Sequence, residues 1–323
     1  QSLGLVPGGK GLGVMLADFN ADARLDAYVT NDTTDNFLYL NGESTLEESG
    51  GLRGVAVDDR GIPNGSMGVA GLDFNSDGLL DIWVTNYEEE PFALYRNDVD
   101  GFFVHVSHSA GVTSLGQQYV GFGTAAADFD LDGSEDLVVA NGLVILFPQR
   151  APRRQLPLLL HNKNGRFQRV SADERFYFGQ PHEGRGLAVA DLNNDGWLDL
   201  AISHLNEPAA VLMNNRPSAA NWLKVKLLGT LSNRDAIGAV AVLVTSQGEQ
   251  TRQVMGGGSY LSSHEPMLHW GIPTGEEPLE LRIHWPSGHS QILRQLQTNQ
   301  TQLIEEKVQL GTNRATILPK ERS

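Results

Sequence analysis

The residues best suited to chemistry are nine-residue stretches in which Asp or Asn takes alternate places around a glycine, as in "DFNSDGLLD" from Asp73 to Asp81. A loop of the form D-x-[DN]-x-[DN]-G-x-x-D offers side-chain oxygens at positions 1, 3, 5 and 9 and a backbone carbonyl at position 7. That hard, all-oxygen set suits Ca2+, which accepts six to eight oxygens at about 2.3–2.6 Å, better than Mg2+, which demands tighter octahedral geometry. The pattern recurs as "DFNADARLD" from Asp18, "DFDLDGSED" from Asp128 and "DLNNDGWLD" from Asp191. The expected ligands of the first loop are Asp18, Asn20, Asp22, the Arg24 carbonyl and Asp26; those of the second are Asp73, Asn75, Asp77, the Leu79 carbonyl and Asp81. The third offers Asp128, Asp130, Asp132, the Ser134 carbonyl and Asp136, and the fourth Asp191, Asn193, Asp195, the Trp197 carbonyl and Asp199. Up to four Ca2+ ions are expected. The first loop departs from the rest, because Ala23 stands where the others have glycine.

These loops are not EF-hands. An EF-hand needs a bidentate Glu at position 12 and helices on both sides. Position 12 here holds Val29, Val84, Val139 and Ile202. Nor does the chain offer a catalytic set. "GFGTAA" (Gly121 to Ala126) formally fits a dinucleotide fingerprint but runs into an acidic loop instead of a helix. No H-E-x-x-H, G-x-S-x-G or Walker loop occurs. No catalytic residue is assigned and the expectation is a non-enzyme. The alternative is a carbohydrate-active enzyme, a polysaccharide lyase or hydrolase, or a carbohydrate-binding propeller.

What must position the loops is a repeat. The four first aspartates lie 55, 55 and 63 residues apart, from Asp18 to Asp73, Asp128 and Asp191. A glycine precedes each by five places (Gly13, Gly68, Gly123, Gly186), and a polar residue follows by thirteen (Asn31, Asn86, Asn141, His204). Farther on come apolar runs closing on Asn: "FLYLN", "ALYRN", "LLLHN" and "AVLMNN", the last read to Asn215. Short runs rich in Val, Ile and aromatics on both sides of a tight polar loop read as β-hairpins. About four strands per repeat make one propeller blade. The predicted class is therefore all-β: four visible β-propeller blades, expected as a piece of a larger propeller, followed by a small β domain. Residues 1–10 read as the tail of a preceding blade.

The charge balance excludes one partner class. With 24 Lys and Arg against 39 Asp and Glu, the net charge of −15 offers no basic stripe for a phosphate backbone. No apolar run is long enough to enter a bilayer, so neither nucleic acid nor membrane insertion is expected. The chain has no cysteine, and a secreted chain without disulfides needs another staple, for which metal is the obvious candidate.

On these residues the repeats resemble the FG-GAP (VCBS-type) repeats of integrin-α-like propellers. That resemblance implies structural calcium and a binding surface, not a reaction. Beyond "NWLKVKLLGT" the loops stop. Asn233-Arg234-Asp235 with Gly238, Gly256-Gly257-Gly258-Ser259-Tyr260, His269-Trp270-Gly271 and Trp285-Pro286-Ser287-Gly288 resemble the ASPIC/UnbV domain, which follows such repeats in the cartilage acidic protein family and its bacterial relatives. The implied organisation is propeller repeats over 11–216, an ASPIC/UnbV-like β domain over 217–307 packed on the last blade, and a tail over 308–323. "AVAVLVT" is expected to be buried on both faces, and the glycine run to serve turns. Arg234, Asp235, Tyr260, His264 and His269 are candidates to line a pocket. The implied protein is secreted or cell-surface (periplasmic if bacterial), acting in adhesion or as a scaffold for a protein or glycan partner. The basic insertion at Arg150, Arg153 and Arg154 is the candidate contact.

Overall fold

The computed structural model describes residues 4–98, 100–145, 150–215 and 219–307. The tail assigned to 308–323 lies outside them, as does part of the 1–10 segment. Residues 4–10 run without strand.

Four antiparallel sheets follow one another as the repeats require. The first holds β1 (Gly11–Ala17), β2 (Asp26–Asn31), β3 (Phe37–Asn41) and β4 (Leu46–Glu48). The second holds β5 (Val69–Leu72), β6 (Asp81–Val84), β7 (Ala93–Asn97) and β8 (Phe103–His105). The third holds β9 (Gly121–Ala127), β10 (Asp136–Asn141), β11 (Leu158–Asn162) and β12 (Phe167–Arg169). The fourth shows three strands among the described residues: β13 (Gly184–Ala190), β14 (Asp199–His204) and β15 (Ala210–Leu212). Each acidic loop joins the first two strands of its blade, and the inner strands β1, β5, β9 and β13 stand side by side.

The repeated glycine is explained by that crowding. A Cβ on Gly13 would lie 2.5 Å from the Met67 carbonyl of the next blade; one on Gly68 would strike Phe122 O, and one on Gly123 would strike Leu187 N. No other side chain fits where two inner-strand backbones approach this closely. Between the sheets lie large side chains. Trp83 is fully buried, and its Nε1 donates to Thr124 Oγ1 of the third blade at 2.9 Å. Phe19 packs edge-on against Phe103, and Phe74 tilts against Phe167, each joining one blade to the next.

The C-terminal unit is two sheets packed face to face. One carries β16 (Asn221–Leu228), β20 (Leu268–Ile272) and β23 (Gln300–Glu305), with β16 and β23 parallel. The other carries β17 (Val240–Thr245), β18 (Glu249–Gln253), β21 (Pro278–His284) and β22 (Ser290–Arg294). Leu223, Leu243, Trp270, Leu281 and Trp285 form its core. The expectation for "AVAVLVT" is corrected here: β17 alternates buried with half-buried residues, so one face alone meets the core.

One element belongs to both units. β19 (Gly256–Gly257) leaves the C-terminal unit and pairs antiparallel with β1, Met15 opposite Gly257 and Leu16 opposite Gly256. The strap then crosses the other inner strands. Ser259 N donates to Val69 O at 2.7 Å, and Ser259 Oγ accepts from Thr124 N at 3.2 Å and donates to Leu187 O at 2.8 Å. Glu265 N donates to Val189 O at 3.0 Å. A Cβ on Gly186, the last glycine of the series, would meet Ser262 of the strap in place of a fifth blade. The glycine run is thus not turn punctuation; it is the thin strand that reaches all four inner strands. It gives partners to strand edges that would otherwise invite pairing with other chains.

Candidate metal centre

The four loops share one backbone. Position 4 has positive φ in each (Ala21 58°, Ser76 59°, Leu131 61°, Asn194 58°), and so does position 6 (Ala23 64°, Gly78 85°, Gly133 92°, Gly196 89°). The first loop therefore keeps the conformation without its glycine, at a strain of order 1 kcal/mol at Ala23.

Hydrogen bonds within each loop are equally regular. The position-1 carboxylate accepts two backbone amides: Asp22 N and Ala23 N at Asp18, Asp77 N and Gly78 N at Asp73, Asp132 N and Gly133 N at Asp128, Asp195 N and Gly196 N at Asp191. The position-7 residue donates its amide to the position-5 carboxylate, as Arg24 does to Asp22, Leu79 to Asp77, Ser134 to Asp132 and Trp197 to Asp195. The position-9 carboxylate joins its loop to the third strand. Asp26 takes Phe19 N and Asn41 N, Asp81 takes Phe74 N and Asn97 N, and Asp199 takes Leu192 N and Asn214 N; Asp136 accepts Asn162 N at 2.8 Å.

The repeated Asn has a second task. Asn97 Nδ2 donates to Phe19 O, Asn162 Nδ2 to Phe74 O and Asn214 Nδ2 to Phe129 O, each reaching into the loop of the preceding blade. In the fourth blade the stitching residue is Asn214, not Asn215. At the opposite strand end, Asn31, Asn86 and Asn141 each give a side-chain amide to a turn carbonyl; the His204 Nδ1 pairs in the same way with Pro208 O at 2.6 Å.

Burial sets the electrostatics. It pushes the Asp81 and Asp136 carboxyls up to about 8, Asp26 and Asp128 to about 7 and Asp73 to about 6, against the backbone hydrogen bonds that stabilise the ionised form. Asp18 is raised for the same reason. Carboxylates buried beside other carboxylates either take up protons or share a cation. Asn20 Oδ1 is a further sign, buried without a hydrogen-bond partner at position 3 of the first loop. The donor set fits a hard divalent ion.

Sequence reasoning placed the C-terminal unit on the last blade, but it meets all four loops. Leu25 of the first loop touches Gly238, and Thr251 lies against Gly78 of the second. Gly271 N donates to Asp128 Oδ2 at 3.0 Å in the third, where Arg252 also pairs with Glu135 at 3.5 Å. Lys224 Nζ lies 3.3 Å from Asp191 Oδ2 and 3.2 Å from Glu265 Oε2, and His269 Nε2 pairs with Gly196 O at 2.9 Å in the fourth. Lys224, Arg252, Glu135 and Glu265 escaped the sequence reading. "WLKVKLL" alternates as if its lysines faced water, yet Lys224 is buried.

Of the pocket candidates, Asp235, His264 and His269 line a cavity of about 640 Å³ between the loops and the C-terminal unit. Tyr260 instead packs against Phe122 with ring centroids 5.0 Å apart, and Arg234 does not line that cavity. The insertion arginines are paired internally: Arg150 with Glu89, Arg153 with Glu183 and Arg154 with Glu207.

Repeated hairpins with in-register acidic loops, followed by a β unit that straps their inner edges, define a class. Residues 73–139 and 144–202 match the FG-GAP-like repeat family, and residues 229–310 match the ASPIC and UnbV family. The chain is a protein of FG-GAP-like repeats joined to an ASPIC/UnbV domain. It is similar to Cartilage acidic protein 1 of Homo sapiens, with 28% identity over 340 residues covering 86% of this chain and 50% of that protein. It is also similar to Cartilage acidic protein 1 of Xenopus tropicalis, with 30% identity over 277 residues covering 69% and 42%. The chain spans about half the length of the curated relatives it matches. Among solved structures it is similar to one described as an Agrocybe aegerita lectin recognising non-reducing terminal N-acetylglucosamine. The identity there is 20%, over 63% of this chain and 53% of that one, and the TM-score of 0.37 is too low to carry an argument.

Proposed function

We propose that the chain is an extracellular, non-enzymatic scaffold whose four loops hold structural Ca2+ and whose propeller surface binds a protein or glycan. The carrying observation is the fourfold identity of the loops: one backbone, a position-9 carboxylate tied to the third strand in each, and a shared docking face for the C-terminal unit. The ligands are those derived from the spacing, with Asp18, Asn20, Asp22, Asp26 and their counterparts supplying oxygens. Bound Ca2+ supplies the positive charge that the buried carboxylates lack. It therefore tightens the hairpin, its stitch to the neighbouring blade and the docked unit together. The position-1 and position-9 carboxylates are already engaged by backbone amides, which favours a holding role over proton transfer. Similarity to Cartilage acidic protein 1 over 86% of this chain supports the extracellular placement.

Metal analysis of the chelator-treated and calcium-reloaded protein, with thermal melts of both, tests the calcium reading: up to four ions and a raised melting temperature are expected. An unchanged melt in excess chelator rejects it. A glycan array followed by a product assay tests the scaffold reading, because turnover of a bound glycan would make the chain an enzyme.

A further inference from the structure

The third loop differs from the other three in what stands over it. The residue before the stitching Asn on the third strand is Leu40, Arg96, His161 and Met213 in blades one to four. Only His161 brings an imidazole nitrogen, the ligand suited to first-row divalent ions. Its Nδ1 lies 3.2 Å from Asp136 Oδ1 and 3.7 Å from Asp130 Oδ2, and its Nε2 lies 3.9 Å from Asp132 Oδ2. One ligand atom each from Asp130, Asp132 and His161 can be chosen so that all lie within 4.8 Å of one another. Metal–ligand bonds of about 2.0–2.2 Å place neighbouring donors about 3 Å apart and opposite donors about 4 Å apart. The Nε2–Asp132 Oδ2 spacing of 3.9 Å falls in that range.

Two further features set this loop apart. Position 3 is Asp130 here, where the other loops have Asn20, Asn75 and Asn193, so a carboxylate replaces an amide. Beside the loop, between blades three and four, lies a cavity of about 520 Å³ walled by Leu159, Val170, Phe178, Leu200 and Met213. Asp130, Asp136 and His161 also line it. An ion held there has protein donors on one side and open space on the other, the arrangement of a site that keeps coordination positions for water or a ligand.

We propose that the third loop binds a divalent first-row transition ion in preference to Ca2+, with His161 as nitrogen ligand beside Asp130 and Asp132. Calcium takes oxygen donors, whereas an imidazole nitrogen favours ions from Mn2+ to Zn2+, increasingly along the series to Cu2+. The tautomer follows from the contacts. The Asp136 carboxylate accepts a proton-bearing Nδ1, which leaves the Nε2 lone pair for the ion on the side of Asp132. Asp136 thereby orients the imidazole and does not need to ligate the ion. The inference rests on the loops being cation sites, but it assigns one of the four to a different ion.

The test is Co2+ titration of the tag-free full chain in saturating Ca2+, followed by visible d–d absorption and by metal analysis. One Co2+ per chain with a ligand-field band is expected. His161→Asn and Asp130→Asn should each weaken Co2+ binding by about tenfold or more, while Asp77→Asn in the second loop leaves it unchanged. Circular dichroism and a Ca2+-dependent melt of His161→Asn check that the variant folds and that the other loops still respond. Undiminished Co2+ binding in folded His161→Asn, absence of a band, or displacement of Co2+ by Ca2+ overturns the proposal. Loss of every Ca2+ response with the Co2+ band intact instead removes the calcium reading and leaves this one standing.

Discussion

The Lys224 ammonium, on the first strand of the C-terminal unit, lies 3.3 Å from the Asp191 carboxylate that opens the fourth acidic loop. Both side chains are buried, and Glu265 of the strap completes the group at 3.2 Å from the same nitrogen. The C-terminal unit thus supplies a positive charge to a loop of the propeller. Removing one partner of a buried ion pair leaves an uncompensated charge and costs about 3–5 kcal/mol. Lys224→Met should therefore lower unfolding free energy by that order in denaturant titrations. Added Ca2+ should restore part of the loss, because a second cation can then serve Asp191. A variant as stable as the parent would show that the pair contributes nothing net.

The strap is equally exposed to test. Ser259 is fully buried, and its hydroxyl serves Thr124 N and Leu187 O on two different blades. Ser259→Ala leaves both backbone groups without that partner, at about 1–3 kcal/mol. Gly257→Val is harsher. Its φ of 74° is strained for a branched residue, and the new side chain would run into Val14 O on β1. The expected outcome is a released strap, seen as new proteolytic cleavage between residues 254 and 265 while the blades stay folded.

Calcium should act on both units together. Binding only to the folded state stabilises by about 2–3 kcal/mol per site when free Ca2+ is ~100-fold above Kd. Asp81→Asn should lower the bound calcium by one ion and remove a comparable increment. The chelated protein carries its own signature. The folded pKa of Asp81 and Asp136, about 8, lies above the ordinary carboxylate value of 3.8. The folded state then binds more protons than the unfolded chain, so stability falls as pH rises toward 8. Chelated protein should therefore be more stable at pH 6.5 than at pH 8, and saturating Ca2+ should abolish or reverse that difference.

Acid has the opposite effect on the domain interface. Burial holds the His264 and His269 imidazoles down to about 4 from 6.5. The unfolded chain takes up protons that the folded one refuses. Stability from this source is complete above pH 6.5 and is lost as pH falls toward 4, by roughly 3 kcal/mol for each histidine. Glu306 adds a lower window. Its carboxyl is held to about 2 by hydrogen bonds from Ser287 and from the Ser232, Thr230 and Leu231 amides, against an ordinary value of 4.5, so its contribution is lost between those values. Calcium-saturated His269→Gln should show a shallower fall in unfolding free energy from pH 6.5 to 4 than the parent. An identical slope would remove His269 from this account.

Much of this was legible in the chain because its signals are local. An Asp at position 1 of a loop bonds to amides four and five residues on, so the D-x-[DN]-x-[DN]-G pattern determines its own turn. The hairpins follow from apolar runs that flank the loop, and the order of blades follows from the repeat. The recurrent glycine and Asn were visible as letters, but their purpose was not. Gly68 and Asn97 are needed for what a neighbouring blade presents, and that partner is remote in sequence.

The C-terminal unit shows the limit most clearly. Its β character could be read from apolar runs and turn residues, whereas its seat across all four loops could not. Lys224 sits in an alternating strand whose pattern carries no information about a carboxylate thirty-three positions earlier. His161 gave no sign of its loop, because it is the β10–β11 pairing that brings it over Asp132. Local spacing determined which carboxylates and amides the four loops present together. Only the tertiary structure, by bringing distant backbones within hydrogen-bond range, decided what packs over those loops and what straps the inner strands of the blades together.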